Sequence, residues 1–188
     1  MSQPFPTERY YITTASGTRV YFDDPSSNDF RIEDIAVGLT HMSRWSGQTH
    51  IRWSVAQHSL VLYHLVPEVE ALAALLHDAA EAYMGDWTRP LIRHIGAPLA
   101  DLKLQMEQAI EKQFNFSMGP QLKFWDDQII HLEASIIGAG GIDPRCQADI
   151  NVSPQQQALA RARIEYFLHK PDGYIYRTYL GHLRQYLK

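Results

Sequence analysis

A histidine and an aspartate stand side by side in the run Ala73-Ala74-Leu75-Leu76-His77-Asp78-Ala79-Ala80-Glu81-Ala82. Everything else in the first part of that run is apolar and favours helix, so the segment belongs on a helix that faces a protein interior. An imidazole and a carboxylate placed there cost several kcal/mol unless something pairs with them, roughly 2–7 kcal/mol for an unpaired polar group. A divalent metal is a natural partner. His58 falls on the preceding predicted helix and Asp126 near the start of a later one. Two His and two Asp together suit a first-row divalent ion such as Mn, Fe, Co, Ni or Zn.

The surrounding pattern predicts a mostly α chain with a small N-terminal β element. Tyr10–Thr14 and Arg19–Phe22 are β-branched and aromatic and flank Ser16-Gly17, which reads as a hairpin, followed by a loop over Asp23–Asp29. Ile32, Ile35, Ala36, Leu39 and Met42 at helical spacing predict a helix over 31–43, broken by Trp45–Thr49. Ser54 is placed to cap a helix over 55–65, and Pro67 to open another that runs to Tyr83. Gly85 and Pro90 bracket a loop. Leu99, Leu102, Met106, Ile110 and Phe114 share one helical face, and Gly119-Pro120 separates that helix from one over 121–137. A loop from Gly138 to Asn151 follows. Ser153 caps a helix over 154–169, Pro171-Asp172-Gly173 stops it, and the tail to Lys188 has the makings of a last helix.

Length and charge narrow the function. The 188 residues, 45% hydrophobic and 20% charged, fit one globular domain over 1–188, with a hairpin and loop over 1–30, a core over 31–137 and C-terminal helices over 154–188. A net charge of −4 offers no basic footprint, so a nucleic-acid polymer is not an expected partner. No apolar run approaches the length of a membrane span, and the first residues lack the charged and apolar regions of a signal peptide. The lone Cys146 cannot form an intrachain disulfide, which fits a reducing cytoplasm. The glycines after residue 137 follow a helix rather than a strand and do not form GxGxxG, so they carry no dinucleotide fingerprint.

On a helix His77 and Asp78 point about 100° apart, and Glu81 shares their face one turn on. His58 comes from the neighbouring antiparallel helix, and Glu133 lies two turns after Asp126 on one face. Arg44 offers a planar fork for phosphate oxygens and Trp45 an apolar stacking face, both beside Gly47 on a predicted loop. Lys123 is a candidate to neutralise phosphate. Taken from composition and spacing alone, a metal site and a set of hydrogen-bonded core residues both remain open.

Several of these motifs occur together in a specific order: His58, Leu-Leu-His77-Asp78-Ala-Ala-Glu81-Ala, Gly85-Asp86-x-x-x-Pro90-Leu and Lys123-x-x-Asp126. In this the chain resembles the HD-domain phosphohydrolases over about Ile32 to Glu133, and most closely the YfbR-type 5′-deoxynucleotidases and their prophage- and phage-borne relatives. The resemblance implies an HD-domain helical bundle with one divalent metal held by His58, His77, Asp78 and Asp126. It assigns Asp126 rather than the adjacent Asp127, through its alignment with Lys123 and Glu133. It implies catalytic roles for Glu81 and Asp86, substrate contacts from Arg44, Trp45 and Lys123, and at least a homodimer. The stretch Trp87-Thr88-Arg89-Pro90 departs from the family, which usually carries a smaller apolar residue after the Asp. The implied activity is release of phosphate from deoxynucleoside monophosphates. The nearest rival is a dNTP triphosphohydrolase, for which Arg52, Arg89 and Arg93 would be extra phosphate contacts. A sensor or scaffold without catalysis is a further alternative.

Overall fold

Alternation at the N-terminus produces a two-stranded antiparallel hairpin, β1 (Tyr11–Thr13) and β2 (Arg19–Tyr21), with Ile12 opposite Val20. Asp34 anchors it to the helices. This buried carboxylate accepts hydrogen bonds from Thr14 Oγ1 (2.7 Å), the Ser16 N–H (2.8 Å) and Ser16 Oγ (2.7 Å). The structure, a computed structural model, describes residues 9–138 and 150–187. Cys146, most of the glycine-bearing loop and the first residues of the chain lie outside them.

The rest of the described chain is helical: α1 (Ile32–His41), α2 (Val55–Tyr63), α3 (Ala71–Leu76), α4 (Glu81–Met84), α5 (Arg89–Ile95), α6 (Ala97–Phe114), α7 (Pro120–Ile137), α8 (Pro154–Leu168) and α9 (Asp172–Tyr186). The fold is therefore mostly α with a small N-terminal hairpin. Both predicted serine caps form as capping boxes. Ser54 accepts from the Gln57 N–H while its own N–H donates to the Gln57 side chain, and Ser153 and Gln156 do the same for α8.

Helix α2 sits at the centre. Every residue from Val55 to Leu62 is buried, as expected of a helix covered all round, and α1, α3, α7, α8 and α9 all pack on it. His58 is thus carried into the core by a helix that is covered on every face. Tyr179 of α9 donates its hydroxyl to the Leu75 carbonyl and pins α3 just ahead of His77. Gly38 lets α1 approach α4: a Cβ there would lie 2.7 Å from the Ala82 Cβ. Among the described residues no helix is long and apolar enough to cross a membrane.

Two expectations need correction. The helix predicted from Pro67 to Tyr83 is not continuous. A 3-10 turn at Glu68–Glu70 precedes α3, and residues 77–80 separate α3 from α4. Across that break the backbone tightens to i→i+3 bonds, Ala79 N–H to Leu76 O (3.0 Å) and Glu81 N–H to Asp78 O (2.9 Å). The expected Gly85–Pro90 loop is shorter than predicted, because Arg89 and Pro90 open α5.

Candidate metal centre

His77 lies where the helix tightens, and its side chain uses the disruption. Its Nδ1 is 3.0 Å from the Ala74 carbonyl, which can only accept, so Nδ1 carries the proton. Nε2 is left with its lone pair, buried and without a hydrogen-bond partner. His58 is held between two carboxylates from the other side. Its Nδ1 lies 2.9 Å from Glu133 Oε1, with both side chains fully buried, and its Nε2 lies 3.2 Å from Asp126 Oδ1.

These elements converge on one point. One ligand atom from each of His58, His77 and Asp126 lies within 4.8 Å of the others. Asp78 stands against the same group, its Oδ2 3.1 Å from His77 Nε2 and 3.9 Å from His58 Nε2. Helix α7 delivers Asp126 because its N-terminus is fixed: the buried Glu70 accepts the free N–H groups of Gln121 and Leu122. Asp127, one residue on, points elsewhere and faces Arg89 at 3.7 Å. Two imidazoles whose Nε2 atoms face the group, two carboxylates and a third carboxylate behind one imidazole form a donor set that fits a divalent transition metal.

The electrostatics are those of a crowded acidic site. Burial and Arg44 work against a charge on His58, but Glu133 and Asp126 outweigh them and push its pKa up to about 9. Burial also opposes the Asp78 charge, yet His77, His58 and Arg44 hold its carboxyl far below the usual range. Asp126 is held at about 2 by His58 and His77 against the same burial. Glu81 goes the other way. Burial, then the neighbouring Asp78 and Asp86, push it up to about 8 despite Lys103.

A cleft of about 480 Å³ opens over this group. Asp78, Glu81, Asp86, Glu107, Glu111 and Asp126 line it, against Arg44, Arg89 and Lys103. Arg44 and Trp45 reach it from a short turn in which Trp45 (φ 53°), Ser46 (φ 52°) and Gly47 (φ 74°) are all left-handed. Such a conformation costs a non-glycine residue about 1–3 kcal/mol and persists only where its surroundings impose it. Here Asp86 Oδ2 accepts the Trp45 N–H at 2.7 Å, and the Arg44 N–H is tied to the Trp53 carbonyl at 2.9 Å. The Arg44 guanidinium lies 4.9 Å over the Trp45 ring, 3.6 Å from Asp78 and 3.4 Å from Glu133. Its buried Nε faces Glu133 without a hydrogen bond of good geometry.

The structure brings His58, His77, Asp78, Asp126, Glu81, Asp86, Arg44 and Trp45 to one cleft. It does not bring Lys123, which is exposed and outside the lining. Its place on the first turn of α7 is fixed by the packing of Leu122 and Trp125 into the core beside it. Arg52 pairs with Asp172 and the Thr40 carbonyl, and Arg93 is exposed away from the lining, so of the extra arginines Arg89 alone reaches the cleft. Lys103 and Glu107, on α6, are additions that the sequence pattern did not single out. Their i, i+4 spacing is what a solvated helix face also shows.

No family model matches the chain. It is 42% identical over 101 residues to the uncharacterised protein YfdR of Escherichia coli (strain K12), an alignment covering 54% of each chain. It is 40% identical over 116 residues to an uncharacterised protein of Rhodobacter capsulatus, covering 57% of this chain and 59% of that one. The chain thus spans little more than half the length of the relatives it matches.

Proposed function

We propose that this protein is a metal-dependent phosphohydrolase of nucleotides, acting as a 5′-deoxynucleotidase on deoxynucleoside monophosphates. The observation that carries the reading is the convergence of His58, His77, Asp78 and Asp126 beside a cleft that Arg44 and Trp45 also line. The four donors would hold one divalent ion. Such an ion supplies positive charge against the phosphate and makes a water more acidic.

The protein's own residues do the rest. Arg44, which lines the cleft, binds phosphate oxygens through its planar guanidinium. Trp45 provides a flat apolar face for the base or sugar, and the Asp86–Trp45 hydrogen bond fixes the backbone from which that face projects. Glu81 is raised toward neutrality, and its buried Oε2 has no hydrogen-bond partner. It takes the proton of the attacking water and returns it to O5′ as the P–O5′ bond breaks, so that phosphate and the neutral deoxynucleoside part.

The charge census favours a monophosphate. Each cation lining the cleft already faces carboxylates: Arg44 faces Asp78 and Glu133, Lys103 faces Glu81 and Glu107, and Arg89 faces Asp127. A triphosphate would bring further negative charge into a cleft with no uncommitted cation among the described residues. The test is a product screen. Purified protein is incubated with Mn²⁺ or Co²⁺ and dNMPs, NMPs and dNTPs in turn, and products are resolved by chromatography. Phosphate and deoxynucleoside from dNMPs support the proposal. Inorganic triphosphate from dATP with dAMP left intact would replace it with the triphosphohydrolase reading, and no product from any nucleotide would reject hydrolysis.

A further inference from the structure

Glu81 sits at the start of α4, nearly buried, and its two carboxylate oxygens have different surroundings. Oε1 accepts a hydrogen bond from Lys103 Nζ at 3.1 Å. Oε2 is buried and has no hydrogen-bond partner among the described residues. Lys103 comes from α6, a helix remote in sequence, and its side chain is only 26% exposed. Burying an ammonium to that degree is costly unless it is paired, and long cationic side chains ordinarily keep their heads in water. Its second neighbour is Glu107, one turn on, at 3.7 Å. Met106 and Ile110 bury the adjoining face of α6, which fixes the rotation of the helix and turns Lys103 and Glu107 to the cleft. The cleft therefore contains a half-buried lysine whose close contacts are carboxylates.

We propose that Lys103 is a positioning residue for Glu81: by holding Oε1 it fixes the carboxylate plane, so that the group acts on the reacting water from one orientation. The inference rests on the hydrolase reading above and adds to it a residue from α6. A carboxylate free to rotate presents two equivalent oxygens in many orientations. One tied at a single oxygen by a charge-assisted bond is held to a narrow range of orientations, which is what general-base catalysis requires. Glu107 in turn keeps the ammonium from swinging out toward substrate phosphate.

The test is a double-mutant cycle on the full chain loaded with Mn²⁺, using dAMP, with Lys103→Met, Lys103→Arg, Glu81→Gln and the double variant Glu81→Gln/Lys103→Met. Metal content and thermal unfolding are recorded for each. The expected result is a kcat for Lys103→Met lower by about tenfold or more, with KM within about twofold and Mn²⁺ content unchanged. Lys103→Arg, which keeps the charge and a donor, should recover part of the rate. In the Glu81→Gln background, removing Lys103 should cost nothing further, because there is no carboxylate left to hold. If Lys103→Met does not fold, Lys103→Gln, which keeps an amide donor and buries no extra apolar surface, carries the same comparison. The inference is overturned if removing Lys103 raises KM equally in both backgrounds, since Lys103 then binds phosphate directly. It is also overturned if its effect on kcat is fully additive with that of Glu81→Gln. Wild-type protein that releases no phosphate from any nucleotide defeats the hydrolase reading itself, and with it any reaction for Lys103 to serve.

Discussion

Glu133→Gln tests whether the buried carboxylate behind His58 matters to metal binding. Glu133 is fully buried, its Oε1 2.9 Å from His58 Nδ1 and its Oε2 3.4 Å from Arg44 Nε. Glutamine has nearly the same shape and can still accept from Nδ1–H, so packing is preserved and only the charge is lost. Two effects then weaken the metal and outweigh the easier loss of the His58 proton once the Glu133 charge is gone. His58 becomes a poorer donor, because a neutral acceptor polarises the imidazole less than a carboxylate does. Arg44 loses one of its two carboxylate neighbours and leans more heavily on Asp78, the other being 3.6 Å away. Replacing a carboxylate of this kind typically weakens metal binding about 10- to 100-fold, or roughly 1.4–2.8 kcal/mol. Calorimetric titration of metal-free wild type and Glu133→Gln with Mn²⁺ measures the difference, and unfolding curves with and without metal show whether the fold is intact. Wild-type affinity in a folded Glu133→Gln protein would refute the reasoning, since it would mean that His58 is not oriented for ligation by this carboxylate.

Glu81→Ala is expected to keep the metal while turnover falls by about a hundredfold or more, checked by metal analysis beside steady-state kinetics. Loss of the metal instead would make Glu81 a ligand. Trp45→Ala is expected to change the preference among nucleotides while leaving the metal content alone. Equal losses on dAMP and on a simple aryl phosphate would argue against stacking. Metal affinity should rise with pH. In the metal-free protein His58 is pushed up to about 9 from an ordinary value of 6.5, so it is charged at neutral pH and must lose a proton to ligate through Nε2. Mn²⁺ titrations at a series of pH values should show affinity climbing between these limits. The sign for stability without metal is the reverse: a raised histidine stabilises below its unfolded value and that contribution is lost as pH rises from about 6.5 to about 9. A pH-independent affinity would exclude His58 as a protonated ligand precursor.

The candidate ligands His58, His77 and Asp78 were legible because each broke an apolar pattern. His77-Asp78 interrupts an alanine- and leucine-rich run, and His58 sits in a helix buried on all sides. The serine caps were legible too, because a capping box needs only a serine and a glutamine at fixed spacing. The break between α3 and α4 was not. Ala73 to Ala82 reads as uninterrupted helix, and the tightening depends on contacts from afar: Tyr179 holds the Leu75 carbonyl, Gly38 receives Ala82, and the His77 ring takes the Ala74 carbonyl. Lys103 was missed for a related reason. On a helix with polar residues all along its outer side, nothing local distinguishes a lysine that turns into a cleft from one in water. Lys123 was assigned by resemblance, and helical phase decided against it: Leu122 and Trp125 take the inward positions and leave Lys123 exposed. Glu133 was visible only as a residue in phase with Asp126. Its place behind His58 required the third dimension.

The most direct test of the metal centre is anomalous diffraction from crystals grown with Mn²⁺ or Co²⁺, recorded at the metal edge for wild type and for Asp78→Ala. The predicted result for wild type is one strong peak per chain, bonded at roughly 2.0–2.3 Å by His58 Nε2, His77 Nε2 and one oxygen each of Asp78 and Asp126. The peak should vanish in Asp78→Ala. A peak bonded elsewhere, or full occupancy in Asp78→Ala, would contradict it.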